Sequence, residues 1–464
     1  MSTTRTVTDQ NGIRYELTAL LGRGGQGAVY AIKGGRLAVK IVVGGNQTSR
    51  ERLRNQLTHV RQLPLRDLAL ARPLEMLRPP HTGYVMELLV DMVPIKTLMV
   101  PKKGETSSVE WYQRGGGLRK RLLVLARAAH VISQLHGKGL VYSDPSPANI
   151  FISKDPDAEE VWLIDTDNLQ YDSSPFDAVF TPGYGAPELL RNTSGVTTLT
   201  DAFSFAVIAF QALSLAHPFI GDMVNDGEPD LEEQAFAGKL PWIDDPEDDS
   251  NRATFGIPRQ WVLSPRLMDA FYLAFGPGRS DPTVRPGASE WADRLYGAAD
   301  ATIECPACSG SFYFTQPQCP WCERARPSIV TAPFHLWDPK CGPTGGILEK
   351  PKGETMRPVL AGHGAVSDCR SFIINRRLAF GQSSGPLSEP VVSVTLSSQG
   401  IKLKSLDGNV YPLFSPTGSQ KTEIGDREKT IRLEEGQGSW RLRFGPNDAL
   451  HRVVSFELRK GRDA

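Results

Sequence analysis

The strongest constraint in this sequence is a set of polar residues placed directly beside apolar runs. Asp144 and Asn149 lie five residues apart, and the apolar run Val161–Ile164 leads straight into Asp165 and Asp167. Carboxylate and amide oxygens are hard ligands that suit Mg²⁺. Any one of these residues alone would more simply be a turn or cap residue. The interpretation therefore depends on what else the chain carries in the same order.

A glycine-rich segment lies near the start of the chain. Gly22, Gly24 and Gly27 follow the spacing Gly-x-Gly-x-x-Gly, with Val29 two residues further on. Glycines let a backbone approach phosphate oxygens without a Cβ in the way. This signal is weak alone, and a dinucleotide fingerprint would need a helix directly after the glycines. Here the β-branched and aromatic residues 28–32 predict a strand, which gives strand, glycine loop and strand.

A lysine follows in the next predicted strand. Lys40 is flanked by Val39 and Ile41, so we expect it to be partly buried rather than a solvated edge lysine. A buried cation at this place suits the α- and β-phosphates of a nucleotide. Such a lysine needs a carboxylate partner, and Glu51 is the only acidic residue of the helix-like stretch 49–63. A solvated glutamate on the helix surface remains an alternative.

The segment Leu135–Ile152 resembles the catalytic loop of eukaryotic-type protein kinases, His-x-x-x-x-(Val/Ile)-(His/Tyr)-Arg-Asp-x-x-x-x-Asn-(Ile/Leu). The resemblance implies that Asp144 accepts the proton of the substrate hydroxyl. It implies that Asn149 and Asp165 hold Mg²⁺ and that Lys40 contacts ATP. The ATP-binding residues that it implies are Gly22, Gly24, Gly27, Val29, Ala38, Lys40, Glu51, Met86 at the gatekeeper position, Glu87 and Leu89 in the hinge, and Phe151.

Further matches follow in the family's order. Thr181–Glu188 is close to the motif that ends a kinase activation segment, which favours protein substrates over small molecules. Asp201 matches the aspartate that ties down the catalytic loop, with His136 as its partner. Arg285 matches the arginine that pairs with the glutamate of the activation-segment motif. The resemblance implies an ATP- and Mg²⁺-dependent protein serine/threonine kinase of bilobal α+β fold.

Three departures from the family pattern bear on activity and control. Ser143 stands where many kinases have an arginine, so activation-loop phosphorylation is not the expected switch. Ser146 replaces the lysine that contacts the γ-phosphate, and loss of such an electrostatic contact costs about 10²-fold or more in rate. Asp167 replaces the glycine after Asp165, where it either binds metal or, as we favour, caps the next turn. An ATP-binding pseudokinase scaffold is the alternative, although the four principal catalytic residues are retained.

The sequence predicts four regions. The kinase domain covers residues 11–298, a cysteine segment covers 303–326, a proline-rich linker covers 327–356, and a β-rich domain covers 357–464. In the last region apolar and polar residues alternate between turn residues, which predicts an all-β sandwich or barrel. Leu378–Phe380 is one of its predicted strands. A phosphothreonine-binding signature is missing from it, and regulation or target binding is the expected role.

Four of the six cysteines form two close pairs. Cys305, Cys308, Cys319 and Cys322 follow the spacing Cys-x₂-Cys-x₁₀-Cys-x₂-Cys, which suits a tetrahedral Zn²⁺ site. Redox dithiols or free thiols are the weaker alternative. Because four thiolates leave no open coordination position, the zinc is expected to be structural. The segment resembles a zinc ribbon.

Composition limits the partners and the compartment. The chain of 464 residues has no net charge, so nothing directs it as a whole to nucleic acid or anionic membrane. The apolar stretch Phe203–Ala216 is shorter than the about 20 residues that span a bilayer and predicts a buried helix. We expect a cytoplasmic protein. The motif Asp165–Gln170 and the cysteine segment together resemble bacterial kinases associated with metal-dependent phosphatases and von Willebrand A-type proteins, which implies such partners besides a protein substrate.

Overall fold

The computed structural model describes residues 5–24, 27–44, 46–101, 107–172, 179–341, 345–352, 355–367, 370–381, 387–433 and 438–461. The chain divides into two compact units. The first contains residues 1–116 and 120–295, and the second contains residues 117–119 and 296–464.

The first unit begins with a six-stranded antiparallel sheet in the order β1-β2-β3-β4-β6-β5. Its elements are β1 Thr6–Thr8, β2 Arg14–Gly24, β3 Gly27–Ile32, β4 Leu37–Val42, helix α1 Gln47–Gln62, β5 Glu75–Met76 and β6 Gly83–Glu87. Alternation along β4 puts Val39 in a cluster with Val85 on one face of the sheet and Ala38 in a second cluster with Leu57 of α1 on the other. The predicted strand, glycine loop and strand are therefore β2 and β3.

The rest of the first unit is mainly helical. Its elements are β7 Met92–Pro94, a 3₁₀ helix Ile95–Leu98, α2 Ser108–Arg114, α3 Gly117–His136, β8 Leu140–Val141, β9 Ile150–Ser153, β10 Val161–Leu163, a 3₁₀ helix Thr166–Asn168, β11 Gln170–Tyr171, α4 Pro187–Leu190, α5 Thr198–Ser214, α6 Asp222–Asn225, α7 Pro229–Phe236, α8 Arg259–Val262, α9 Pro265–Phe275, two 3₁₀ turns Pro277–Arg279 and Pro282–Val284, and α10 Ala288–Asp300.

Helix α5 is the centre of this helical part. It begins with a capping box at Thr197 and Thr200 and is buried over most of its length. Phe210 packs edge-on against Phe271 and Phe275 of α9. The prediction of a buried helix in this apolar stretch is confirmed. No helix in the described ranges is long and apolar enough to cross a membrane.

The second unit is rich in antiparallel strands. They are β12 Thr302–Glu304, β13 Ser311–Tyr313, β14 Ile329–Asp338, β15 Gly346–Ile347, β16 Glu349–Lys352, β17 Thr355–Pro358, β18 Leu360–Ser367, β19 Ser371–Asn375, β20 Pro390–Ser397, β21 Gly400–Ser405, β22 Tyr411–Phe414, β23 Lys421–Ile424, β24 Lys429–Ile431, β25 Trp440–Arg443 and β26 His451–Arg459, with helix α11 Arg376–Phe380 between β19 and β20. The β-rich character predicted for the C-terminal region is confirmed.

Two sheets share the hydrophobic core of this unit. One has seven strands, in the order β15-β14-β26-β25-β22-β23 with β18 also paired to β14, and the other has four, in the order β19-β20-β21-β24. Phe334 of β14 and Phe456 of β26 lie in the same buried cluster as Val394 of β20 and Leu403 of β21. Both sheets therefore bury one face in a common core.

The prediction of a linker over residues 327–356 is wrong. The ten-residue strand β14 lies inside this range and pairs with both β18 and β26. Its inward residues Val330, Ala332 and Phe334 alternate, so the strand pattern was present in the sequence. The nearby prolines obscured it, and Pro333 itself lies within the strand with no N–H to donate. The predicted boundary at residue 357 also falls after this strand.

The strand predicted at Leu378–Phe380 is a helix. Residues Arg376–Phe380 form α11, and the side chain of Asn375 accepts a hydrogen bond from the backbone N–H of Leu378 at 3.1 Å. Asparagine at this position satisfies one of the free N–H groups of the first turn, which favours the helix. Three apolar residues in a row were too short a pattern to separate strand from helix.

Candidate active site

Asp201, near the start of α5, holds the backbone of the catalytic loop. Its carboxylate is buried and accepts hydrogen bonds from the backbone N–H groups of Tyr142 at 2.7 Å and Ser143 at 2.9 Å. A ring nitrogen of His136 lies 3.0 Å from the same carboxylate. The predicted pairing of His136 with Asp201 is confirmed, and it fixes the loop to the most buried helix of the unit.

Asp144 extends from this loop and is held by two neighbours. Its Oδ1 accepts hydrogen bonds from the backbone N–H and from the hydroxyl of Thr181, both at 2.8 Å. The amide of Asn149 donates to the backbone oxygen of Asp144 at 3.1 Å and to its Oδ2 at 3.3 Å. Burial raises the pKa of Asp144, and the bonds from Thr181 act in the opposite direction. Asp144 thus already accepts a hydrogen bond from a hydroxyl group. A general base for a substrate hydroxyl must be positioned in the same way.

Asn149 and Asp165 are brought together by the buried ring of Tyr142. The Tyr142 hydroxyl donates to the carbonyl of Asn149 at 3.2 Å and to the carbonyl of Ile164. The backbone N–H of Ile164 also donates to the carbonyl of Asn149, at 2.9 Å. Asp165 follows with a φ of 60°, a left-handed conformation that aspartate tolerates better than most residues. The side chains of these two residues carry hard oxygen donors of the kind that Mg²⁺ prefers.

Lys40 is buried and faces two carboxylates. Its ammonium lies 2.8 Å from Oδ2 and 3.1 Å from Oδ1 of Asp167, and it also donates to Oδ1 of Asp165. Burial alone would lower the pKa of Lys40, but the charges of Asp167 and Asp165 outweigh it and raise the pKa. Asp167 was predicted to cap a turn, and that prediction is wrong because its side chain pairs with Lys40.

The structure does not bring Glu51 to Lys40. Glu51 is exposed in α1 and accepts a hydrogen bond from the side-chain amide of Gln47 at 2.9 Å. The prediction of Glu51 as the lysine partner and ATP-site residue is therefore corrected. The physical reason is its position on the helix, since the inward face of α1 carries Leu53, Leu57 and Val60.

The predicted nucleotide site has apolar walls from both parts of the first unit. Val29, Ala38, Met86 and Leu89 belong to one hydrophobic cluster, which also contains Ile164, the residue before Asp165. Ala38 lies directly opposite Met86 in the pairing of β4 with β6, and Glu87 follows at the end of β6. Phe151 is half-buried in the middle of β9. Apolar side chains beside a strand end suit the packing of a planar base.

The three glycines of the predicted phosphate loop differ in their surroundings. A Cβ on Gly27 would lie 2.3 Å from the carbonyl oxygen of Ile41, so only glycine fits against β4 at that position. A Cβ on Gly22 or Gly24 would meet nothing within 4 Å. Gly27 is thus needed for strand packing, whereas Gly22 and Gly24 leave open space beside the backbone, where phosphate oxygens can approach.

The activation segment, residues 165–188, is fixed at its far end by a buried ion pair. The two terminal nitrogens of the Arg285 guanidinium, Nη1 and Nη2, donate to Oε1 and Oε2 of Glu188 at 2.7 and 2.8 Å. A bidentate pair of this kind is strong and geometrically specific. The predicted pairing of Arg285 with Glu188 is confirmed. Nearby, burial lowers the pKa of His217 to about 4, and its Nε2 bonds the carbonyl of Gly183 at 2.9 Å.

Ser143, which replaces the family arginine, bonds the start of the activation segment directly. Its hydroxyl donates to the carbonyl of Asn168 at 2.9 Å and accepts a hydrogen bond from the side-chain amide of Gln170 at 3.0 Å. These are neutral contacts that need no phosphate. Ser146, at the position of the missing lysine, is buried and so cannot reach a bound nucleotide as a long cation would.

Comparison with known proteins agrees with this geometry. The family described as protein kinase domain matches residues 15–254, which is more than half of the chain. The chain belongs to the protein kinase family. The match covers the glycine segment, Lys40, the catalytic loop, Asp165 and the activation segment.

Individual kinases resemble the chain over the same region. CBL-interacting protein kinase 4 of rice is 29% identical over 229 residues, covering 46% of this chain and 47% of that kinase. Serine/threonine-protein kinase pkn2 of Myxococcus xanthus is 27% identical over 239 residues, covering 49% of this chain and 26% of that kinase. The DNA damage-responsive serine/threonine-protein kinase RqkA of Deinococcus radiodurans is 25% identical over 226 residues, covering 45% and 31%. The chain thus spans about half the length, or less, of these relatives.

The chain also carries a cluster of four cysteines in its second unit. The sulfurs of Cys305, Cys308, Cys319 and Cys322 all lie within 4.8 Å of one another, with 3.6 Å between Cys305 and Cys322 and 3.7 Å between Cys308 and Cys319. A disulfide would need about 2.05 Å. Four thiolates around Zn²⁺ at about 2.3 Å give sulfur–sulfur distances of about 3.8 Å. The donor set and its spacing fit a tetrahedral zinc ion.

Two matching backbone turns hold these cysteines. In the first, the N–H of Ser309 donates to the carbonyl of Cys305 at 2.9 Å, and in the second the N–H of Glu323 donates to the carbonyl of Cys319 at 2.8 Å. Ser309 and Glu323 have φ values of 58° and 60°. Neither is a glycine, so both turns adopt a conformation that L residues disfavour, at a cost of about 1–2 kcal/mol each. Binding of all four cysteines to one metal ion would hold both turns in this conformation.

Sequence reasoning missed two contacts in the active site. The first is the pairing of Asp167 with Lys40. The sequence shows the Asp-x-Asp spacing, but it does not show that the side chain of Asp167 points toward Lys40. The second is the hydrogen bond from Thr181 to Asp144, which joins residues 37 positions apart. A serine or threonine in the activation-segment motif was the available signal, although its partner follows only from the folded segment.

Proposed function

We propose that the chain is an ATP- and Mg²⁺-dependent protein kinase that transfers the γ-phosphoryl group to serine and threonine hydroxyls. The observation that carries the proposal is the position of Asp144, whose carboxylate is fixed by Asn149 and already accepts the hydroxyl of Thr181. A substrate hydroxyl can take the same kind of bond. The serine/threonine kinases among its relatives support the choice of acceptor.

In this mechanism each residue has a separate task. Asp144 accepts the proton of the substrate hydroxyl as its oxygen attacks the γ-phosphorus, and the bond from that phosphorus to the β–γ bridging oxygen breaks. Mg²⁺, when bound, neutralises the phosphate charge, and Asp165 and Asn149 are the residues that would hold it. Lys40 binds the α- and β-phosphates. The backbone at Gly22 and Gly24 leaves room for the phosphates.

The absence of the catalytic-loop lysine is the feature of this active site that should lower the rate of phosphoryl transfer most. Ser146 cannot supply a cation, and one lost electrostatic contact slows transfer by about 10²-fold or more. We therefore expect a slow kinase rather than an inactive one, because the base, the metal ligands and Lys40 are all in place. Ser143 and its neutral partners support activity that does not wait for activation-loop phosphorylation.

The second unit is proposed to choose or regulate the target. Its two sheets, which share one core, support a β-sandwich, and its cysteine cluster supports a zinc ribbon that binds one structural Zn²⁺. The Asp165–Gln170 motif with this cysteine segment supports the narrower proposal that a metal-dependent phosphatase and a von Willebrand A-type protein work with the kinase.

Identifying the labelled group tests the substrate class. The full chain is incubated with γ-labelled ATP, Mg²⁺ and either a mixture of basic and acidic proteins or a panel of small-molecule alcohols. We expect label in protein, and after acid hydrolysis we expect it as phosphoserine and phosphothreonine. Label that appears in the small alcohols and not in protein, or as phosphotyrosine alone, would contradict the proposal.

A further inference from the structure

We propose that Asp167, and not a residue of helix α1, is the carboxylate that positions Lys40 for the phosphates of ATP. The inference rests on the proposed function, since it concerns the same nucleotide site. In protein kinases this lysine is ordinarily held by a glutamate of the helix after its strand, and movement of that helix controls activity. Here the ammonium of Lys40 lies 2.8 Å from Oδ2 and 3.1 Å from Oδ1 of Asp167.

Helix α1 has no acidic side chain that can do this. Its inward residues are Leu53, Leu57 and Val60, which follow the spacing of one helical face. Glu51 is its only acidic residue and precedes Leu53 by two positions, which is about 200° around the helix. Glu51 accordingly points to solvent and bonds Gln47. Rotating Glu51 inward would force the leucines of the helix out of the core.

Asp167 is held rigidly by its own short helix. It is the middle residue of the 3₁₀ helix Thr166–Asn168. On one side the buried Thr166 hydroxyl lies 3.4 Å from the carbonyl of Ala71, and on the other the carbonyl of Asn168 accepts the hydroxyl of Ser143 at 2.9 Å. Both of these bonds come from outside α1, and the side-chain amide of Gln56 in α1 also donates to the carbonyl of Leu169, just after the 3₁₀ helix.

Burial separates the tasks of the two aspartates. The side chain of Asp165 is 24% exposed, whereas that of Asp167 is 3% exposed. A hydrated Mg²⁺ needs access to its ligand, which Asp165 offers. A buried ammonium needs a buried counter-charge, because leaving one charge unpaired in the interior is strongly destabilising. Lys40 also donates to Oδ1 of Asp165, but Asp165 is the more exposed of the two and the one that a metal ion can approach, whereas the buried Asp167 pairs with Lys40 through both of its carboxylate oxygens.

The consequence is a kinase in which the lysine contact is built into the metal-binding segment. The residue that binds metal and the residue that holds Lys40 lie two positions apart on one element. Helix α1 supplies no carboxylate to this ion pair, because its one acidic residue, Glu51, bonds Gln47 instead. Asp167 is a positioning residue, because it acts on the nucleotide through Lys40.

Calorimetric titration of the full chain tests this without relying on turnover. Asp167→Asn is compared with the matched control Glu51→Gln, first with Mg²⁺ and ATP and then with adenosine, which has no phosphates. We expect Asp167→Asn to weaken ATP binding at least tenfold and leave adenosine binding within twofold. Glu51→Gln should bind both ligands as the wild type does. Where the wild type is active, kcat should fall in the Asp167 variant as well.

Several results would overturn the inference. If Asp167→Asn binds ATP with wild-type affinity, Asp167 is not the positioning residue. The same holds if Glu51→Gln loses as much ATP affinity as Asp167→Asn does. A tenfold rise in the Mg²⁺ concentration needed for ATP binding, with unchanged affinity at saturating Mg²⁺, would make Asp167 a metal ligand instead. Should Asp167→Asn unfold, Asp167→Gly, which restores the family residue, gives the same comparison. A wild type that binds ATP but transfers no phosphate refutes the proposed function and leaves this binding test in force.

Discussion

Replacing Asp144 by asparagine is expected to lower kcat by roughly 10²–10⁴-fold, the range for loss of a general base. Asparagine keeps the shape of the side chain, its Oδ1 can still accept the bonds from Thr181, and the bond from the Asn149 amide to the backbone oxygen of residue 144 is unchanged, so the fold of the loop should be retained. Asp144 does not belong to the nucleotide cluster, so we expect the KM for ATP to change by less than about threefold. Steady-state transfer of label from γ-labelled ATP to a protein substrate measures both quantities.

Asp91→Asn is the matched control for this variant. Asp91 is an exposed aspartate of the same unit, with a φ of 55° that asparagine also tolerates. The Asp91→Asn variant should transfer phosphate at the wild-type rate. An Asp144→Asn variant that transfers phosphate at the wild-type rate would show that another group accepts the proton, and the assignment of the base would then be wrong.

Removing zinc from the cysteine cluster should produce the largest change in stability. Structural zinc contributes about 10–16 kcal/mol of binding free energy in small zinc-dependent peptides, and here the segment packs on a larger core. Even about 5 kcal/mol would lower the melting temperature of a unit of this size by roughly 10–20 °C. We expect one zinc per wild-type chain by elemental mass spectrometry. After chelation, limited proteolysis should cut within residues 303–326.

The cysteine variants separate metal binding from thiol chemistry. Cys305→Ser should lose the bound zinc, whereas Cys341→Ser should keep it, because Cys341 is a free cysteine outside the cluster. Phosphoryl transfer by the first unit should continue in both, since none of these residues lies in the active site. Zinc-free wild-type protein with an unchanged melting temperature would contradict the zinc assignment.

The residues proposed for catalysis could be selected from the sequence because the chemistry that they would perform is fixed and their spacing is local. Asp144 and Asn149 belong to one loop, and Asp165 follows the next strand of the same short region. The cysteines were predictable for the same reason, since each pair lies on a single turn. Such sites depend little on how distant parts of the chain pack.

The partner of Lys40 could not be predicted in this way. Lys40 and Asp167 are 127 residues apart, and the choice between Asp167 and Glu51 depends on which face of α1 turns inward. That rotation is set by the burial of Leu53 and Leu57, which outweighs one exposed glutamate. The family pattern predicted a glutamate of α1 as the partner of Lys40. The packing of α1 leaves Glu51 exposed, and Asp167 pairs with Lys40 instead.

The second unit shows the same limit in its strands. The alternating apolar and polar residues predicted strands in this region, and one such run, Val392–Leu396, lies in β20. β14, the longest of the described strands of the second unit, lies in the predicted linker, where Pro327 and Pro333 suggested irregular chain. Its ten residues are held by pairing on both edges, with β18 and β26. Pairing with distant strands can overcome a local preference of this kind.

Transfer of label by the wild-type chain, beside Asp165→Asn, is the most direct test of an active kinase. Both proteins are incubated with γ-labelled ATP and protein substrate, with Mg²⁺ or with excess chelator, after ATP binding to the wild type has been measured. We expect Mg²⁺-dependent labelling of serine and threonine by the wild type, and we expect Asp165→Asn to label them about 10²-fold or more slowly. A wild type that binds ATP yet labels no protein, or labels it no faster than Asp165→Asn, would contradict it and support a pseudokinase scaffold.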